Sequence, residues 1–334
     1  MKYNIRICCM ETYHPEKQVG NDYYIEHFKK QGKDVEHFLK DILNRDKRYV
    51  IDNAGKTDKE RETSLTMQIE AAKRLLKNNN LNPEELDGII VASQIPEYFV
   101  PPNALFIHKA IGAKRDCFAY DLNSTCIGMT MAFDQAAKYL EDDRIQKILI
   151  VGGDYLTVAA HRDDTCIHGL FGDMACAMVV EKGDGESQIL DSDFFINTAS
   201  LDVIHVPGCG VSKLLAKESH EPLELLSGTM ECDIPEVIRR IPNMLKRNGL
   251  TLEDISGFCF SQYVWKNNKK ILDELGIPYE KAPYVGNQYG YTGVNSPFLA
   301  LNELVTSQKV KRGDYLLFWT IGNSIQHIFL LIRY

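Results

Sequence analysis

Residues 81–94, LNPEELDGIIVASQ, and residues 250–262, LTLEDISGFCFSQ, are two versions of one segment. Each opens on a polar, acidic stretch, passes through Asp-Gly or Ser-Gly, enters a short apolar run and ends on Ser-Gln. A run of that length between turn residues suits a strand of a parallel sheet buried on both faces. The text after each copy recurs as well. The first is followed by helical NALFIHKAIG (103–112), extended CFAYDLNST (117–125), helical IGMTMAFDQAAKYL (127–140) and the β-branched strand KILIVGGD (147–154). The second is followed by NNKKILDELGI (267–277), APYVGNQYG (282–290), VNSPFLALNELV (294–305) and GDYLLFWTIGN (313–323), in the same order. Strands alternating with helices predict a layered α/β fold. Two copies predict an internal duplication, with an N-terminal half over 1–183 and a C-terminal half over 184–334. The period is far too long for a solenoid.

Composition narrows the function. At 334 residues and 44% hydrophobic, the chain can bury a large core without a disulfide or metal staple. A net charge of -8 disfavours nucleic acid as a partner, because counterion release needs a concentrated basic surface. No apolar run approaches the roughly 20 residues of a membrane-spanning helix. The opening MKYNIRICCMETYHPEK lacks the apolar stretch of a signal peptide. Its nine cysteines include no CxxC pair, which predicts free thiols in a cytoplasmic, reducing setting. Cys8 and Cys9 are expected on opposite faces of a strand. Cys117, Cys166, Cys176, Cys232 and Cys259 read as small buried apolar residues. No HExxH or paired-cysteine spacing points to a metal.

Cys126 stands apart. It follows an extended run and precedes Gly128 and a strong helix. A thiol there lies near the positive end of a helix dipole, which favours thiolate and a lowered pKa, and Gly128 lets a ligand backbone approach. The chemistry this suggests is a nucleophile that accepts an acyl group from a thioester; the alternative is a packed cysteine at a strand–helix junction.

The surrounding text decides between them. DLNSTCIGMTMAF (121–133) resembles the nucleophile segment of ketoacyl synthase III, a condensing-enzyme family of the thiolase superfamily. HGLFGDMACAMVVE (168–181) is similar to that family's F-G-D-G-A-G-A segment, with Met174 and Cys176 in place of glycines. ETSLTMQIEAAKRLL (62–76), SQIPEYFVPPNA (93–104) and the closing GDYLLFWTIGNSIQHIFLLIRY (313–334) fit in order. The resemblance implies the thiolase fold, two similar halves layered α-β-α-β-α. It also implies a dimer, with either a second copy or a paralogue, and an acyl-coenzyme A or acyl-carrier-protein thioester as substrate with no permanently bound cofactor.

It further implies where the site should lie, and there this chain departs from the pattern. The family's histidine opens an H-Q-A-N segment; here the text is FSQYVWKNN, with Ser261 in the histidine position and Gln262 retained. The family's asparagine stands in Y-G-N-T; here YGYT places Tyr291 there. That pair normally donates hydrogen bonds to a malonyl thioester carbonyl, and one lost donor of this kind costs about a hundredfold or more. Acyl loading draws instead on Cys126 and an oxyanion hole, implied to be the backbone N–H groups of Cys126 and Asn323. By the same resemblance, Val100 caps the partner's acyl pocket. His205, in IHVPGCG, lies on the loop lining the acyl tunnel and would supply a base, or else is a surface histidine. Lys47 and Arg48, with Lys40 and Arg45, fall where a basic cluster meets the donor's phosphates, or form a solvated face. His161 and His168 read as structural, and His327 as packed in the core. Three functions follow: an acyltransferase of a specialised fatty-acid or polyketide-type pathway, loading Cys126 and passing the acyl group on; a conventional decarboxylating 3-oxoacyl synthase III; and a non-catalytic partner of an active paralogue.

Overall fold

The computed structural model describes residues 2–183, 185–218, 224–225 and 232–334. The two Ser-Gln segments end two strands far apart in one nine-stranded sheet. Its strands are β1 (Tyr3–Tyr13), β2 (Gly88–Ala92), β3 (Phe118–Leu122), β4 (Lys147–Asp154), β5 (Met174–Lys182), β6 (Gln188–Ile196), β7 (Ile255–Phe260), β8 (Tyr315–Gly322) and β9 (Gln326–Arg333). Their order is β7-β8-β9-β6-β1-β5-β4-β2-β3. β2 runs parallel to β3 and β4, and β7 parallel to β8, while the remaining neighbours are antiparallel. β1 and β6 meet only at Tyr3–Ile189 and Asn4–Gln188, so the sheet is two blades joined at a narrow seam.

Alternation along the strands builds the layers. The covering helices are α1 (Ser64–Asn78), α2 (Asn103–Ile111), α3 (Gly128–Tyr139), α4 (Ile234–Arg247), α5 (Trp265–Leu275) and α6 (Ser296–Thr306). Ile90, Ala92, Ile148 and Ile150 pack with Phe133 of α3 and Phe298 of α6, and from the other blade Leu316, Phe318 and Leu330 join the same cluster. The intervening residues Ile89, Val91, Leu149 and Val151 pack against α1 and α2, and Leu317, Trp319 and Leu331 against α4 and α5. Helices α3 and α6 therefore lie between the blades, and the order is α-β-α-β-α. Both bury most of their surface, as expected of helices that are apolar nearly all round. Local signals agree with the layout: Thr63 and Thr66 form a reciprocal capping box at the start of α1, and α5 stops at Gly276 with φ +65°.

Three expectations need comment. APYVGNQYG forms no strand; it runs irregularly into a short helix at Gly286–Tyr289, and the sheet ends at β7. Pro283 has no N–H to give a ladder, and the N–H groups of Val285 and Gly286 are taken by the Gln262 side chain. Cys8 and Cys9 do not face opposite ways: a bulge between Ile7 and Cys9 puts both against the same cluster. The expected seam falls between β5 and β6, where Asp184 lies outside the described residues. Among the described residues no helix is long and apolar enough to cross a membrane, and no group of His, Cys, Asp and Glu is arranged to hold a metal.

Candidate active site

The chain leaves β3 through Asn123, whose Oδ1 accepts the Thr125 N–H at 3.1 Å. Thr125 then takes a left-handed conformation, φ +46°, before Cys126 and the first turn of α3. A non-glycine residue at positive φ is strained, and the strain turns Cys126 out of the strand direction just ahead of the helix. From the other blade, the end of β8 comes so close that a Cβ on Gly322 would collide with Thr125 Oγ1. Glycine is required there to bring the backbone of Gly322 and Asn323 against Cys126.

Cys126 opens on a cavity of about 190 Å³. Its walls are mostly apolar, with Ile95, Leu156, Leu170, Phe171, Ile204 and Tyr263 among them, and Gln94, Tyr291 and Asn323 as polar groups near the thiol. Burial pushes the thiol up to about 11, which the polar groups beside it, Tyr291 first among them, only partly offset. The lowered value expected from the helix dipole is thus overturned, because desolvation disfavours the anion more than the helix end favours it. The thiol donates to Gln94 Oε1 at 3.2 Å.

Tyr291 is held by its backbone, its N–H donating to Leu170 O at 3.0 Å and its C=O accepting from Gly172 at 3.0 Å. Its ring stacks near Phe171 and meets Tyr263 edge-on, with centroids at 6.2 and 5.1 Å. The hydroxyl faces the Cys126 thiol, and burial and the thiol together hold it well above the ordinary phenol range. It therefore stays protonated and is a donor. Ser261 lies beyond it: its N–H continues the ladder to Trp319 O at 2.8 Å, and its hydroxyl, near that of Tyr291, is buried without a well-formed hydrogen bond. It does not line the cavity.

The remaining site candidates fall elsewhere. Gln262 does not reach the cavity, for its amide is used on backbone, donating to Phe260 O at 2.7 Å and accepting from Val285 N at 2.7 Å. His205 sits on a two-residue strand; Ile204 and Val206 on either side line the cavity, so its side chain turns away, 46% exposed, near Asp202. Arg48 is buried, donating to Gly169 O and Asn21 Oδ1 and lying over Tyr24, so it is not free to meet a phosphate. Arg45 is likewise buried, pinning Gln262 O at 2.9 Å and Tyr263 O at 3.0 Å behind the site. Lys47, between them, is partly exposed on the short strand Lys47–Tyr49. Val100 is 85% exposed and does not line this cavity. Cys166 is exposed rather than buried. His327 is in the core, its Nδ1 accepting from Trp319 Nε1 at 2.9 Å.

Gln94 was missed as a site residue. The sequence carried a signal for it: Ser-Gln recurs at 93–94 and at 261–262, each just after a strand, and only the second pair was given a role.

The chain matches the family described as 3-oxoacyl-[acyl-carrier-protein] synthase III over residues 120–197, and that family's C-terminal region over residues 245–334. It is 30% identical over 275 residues to β-ketoacyl-[acyl-carrier-protein] synthase III of Aquifex aeolicus, covering 82% of this chain and 85% of that protein. It is 28% identical over 281 residues to the synthase III of Coxiella burnetii, covering 83% and 84%. The crystal structure of the Aquifex aeolicus VF5 3-oxoacyl synthase III superposes with a TM-score of 0.82 at 26% identity, over 99% of this chain and 100% of that one. A cysteine at the entrance to a central helix of this layered fold, and the length of these matches, place the chain in the 3-oxoacyl-[acyl-carrier-protein] synthase III family of condensing enzymes.

Proposed function

We propose that this enzyme takes an acyl group from a coenzyme A or carrier-protein thioester onto Cys126 and passes it to a second substrate, in a specialised fatty-acid or polyketide-type pathway. The observation that carries this reading is the Cys126 thiol opening on an apolar cavity with the Tyr291 side chain on the same wall. In loading, the Cys126 sulfur bonds to the acyl carbon and the thioester C–S bond breaks. The thiol proton departs on the leaving sulfur. The N–H groups of Cys126 and Asn323 are suited to the oxyanion, since Gly322 lets the two backbones converge, and the apolar walls suit an acyl chain. The exposed tip of Tyr98, Phe99 and Val100 suits a partner subunit, a second copy or a paralogue.

Decarboxylation of a malonyl extender is a different demand. It needs two donors on the extender's carbonyl, and this site offers one, the Tyr291 phenol, while Ser261 is buried off the cavity wall. The test supplies acyl-loaded enzyme with malonyl-carrier protein and follows carbon dioxide. Release at least a hundredfold slower than an ordinary turnover of about 1 per second is expected. Release at about 1 per second would defeat the reading in favour of a conventional decarboxylating synthase.

A further inference from the structure

Asp154, at the end of β4, is fully buried and accepts four hydrogen bonds. Oδ1 takes Ser93 Oγ at 2.6 Å, Gln94 N at 2.8 Å and Ile95 N at 3.0 Å, and Oδ2 takes Gln94 Nε2 at 3.4 Å. Two of these hold the backbone that follows β2; the last holds the Gln94 side chain, whose other end accepts from the Cys126 thiol. The amide's orientation follows from the carboxylate. Were it turned over, Oε1 would face the Asp154 oxygens and Nε2 the sulfur, exchanging a donor–acceptor contact for a repulsion in a dry site. Gly293, φ +69°, packs against the same amide, and a Cβ there would lie 2.7 Å from Nε2.

We propose that Gln94 is a positioning residue for Cys126: locked by Asp154 with its oxygen toward the sulfur, it accepts the thiol hydrogen bond, fixes the orientation of the sulfur on the cavity wall and favours the thiol over the reactive thiolate. An acceptor facing the sulfur stabilises the thiol over the thiolate. With Oε1 toward the sulfur Gln94 favours the thiol; turned over, with Nε2 toward it, the same side chain would favour the thiolate. The groups facing the thiol are Tyr291 and Tyr263 from the apolar wall, the Asn323 N–H from the β8–β9 turn, and Asp154 behind Gln94. The two phenols carry no charge near neutral pH; burial raises Asp154, and the donors Ser93, Gln94 and Ile95 on its oxygens favour its carboxylate form.

The proposal rests on Cys126 as the nucleophile, but its test needs no acyl substrate. Alkylation of Cys126 by iodoacetamide is followed against pH by intact mass, with the modified site located after digestion. Gln94→Leu removes the acceptor without admitting water. Thiolate at a given pH, and so the alkylation rate, should rise about three- to tenfold, the worth of one hydrogen bond, and the pH midpoint should fall. An unchanged or higher midpoint overturns the proposal. Asp154→Asn should also lower the midpoint, partly by removing a charge and partly by freeing the amide to turn. In the Gln94→Leu background the second part should vanish, so the two shifts are less than additive. Full additivity shows that Asp154 acts by charge alone and overturns the lock. If Asp154→Asn does not fold, the Gln94→Leu profile still decides the positioning role. Failure of acyl loading beside a shifted alkylation profile would count against the proposed function and leave this inference standing.

Discussion

At Cys126 the helix end and the apolar cavity pull the thiol in opposite directions, and the cavity prevails, with the thiol raised to about 11. Thiolate is the reacting form, so the rate of acyl loading should climb about tenfold per pH unit between pH 7 and 9; rapid-quench intact mass would show it, and a plateau below pH 8 would contradict the assignment. Tyr291→Phe keeps the ring between Phe171 and Tyr263 and removes only the hydroxyl on the thiol. Loading should slow about tenfold, the worth of one hydrogen bond in a dry site, with the melting temperature little changed. A loading rate equal to that of the unaltered protein would show that the phenol is a bystander. At this scale the sequence was legible where a residue's position follows from its neighbours, as for Cys126, Tyr291 and Asn323. It misled where burial decides. Arg48 reads as a surface cation but is enclosed by Gly169, Asn21 and Tyr24. His205 lies one residue from two cavity-lining side chains yet faces the other way.

Between elements, the site depends on how tightly the end of β8 meets the turn into α3. Gly322→Ala would drive a methyl into Thr125 Oγ1 and displace the Asn323 N–H from Cys126. Loading should fall by a hundredfold or so, the cost of one oxyanion donor, while circular dichroism keeps its native form. Retention of full loading would remove Asn323 from the oxyanion role. The strands and helices themselves were readable from period and punctuation, because β2, β4 and β8 are buried on both faces and carry the apolar runs this requires. The stretch at 282–290 was not. Whether an edge segment pairs depends on what else binds its backbone, and here Gln262 already holds Val285 and Gly286. The partner of that amide lies 23 residues along the chain, beyond the reach of any local pattern.

Across the whole molecule, the layered order was legible because alternation carries the information for both faces of each blade at once. Ile89 and Ile90, or Leu316 and Leu317, sit in different clusters for that reason alone. What local pattern does not reveal is the electrostatic balance of the interior. His168 and His327 are pushed down to about 4 by burial, from an ordinary value of 6.5. Both bind protons more tightly when unfolded, so between pH 6.5 and 4 their contribution to stability is lost as pH falls. Asp173 is raised to about 6 by burial, binds its proton more tightly when folded, and opposes this between pH 3.8 and about 6. Asp121 and Asp154 are raised by burial in the same sense as Asp173, so the histidine contribution is read by removing one histidine. The His327→Phe protein should lose less melting temperature, or gain more, from pH 6.5 to pH 4 than the unaltered protein, and an identical pH response would contradict the part given to His327.

The central claim is that Cys126 carries an acyl group. Intact-mass spectrometry of the protein after incubation with a panel of acyl-coenzyme A and acyl-carrier thioesters measures it directly. The account predicts one added acyl mass, lost by Cys126→Ala with the fold intact; no adduct with any thioester, or an adduct that persists in the alanine variant, would contradict it.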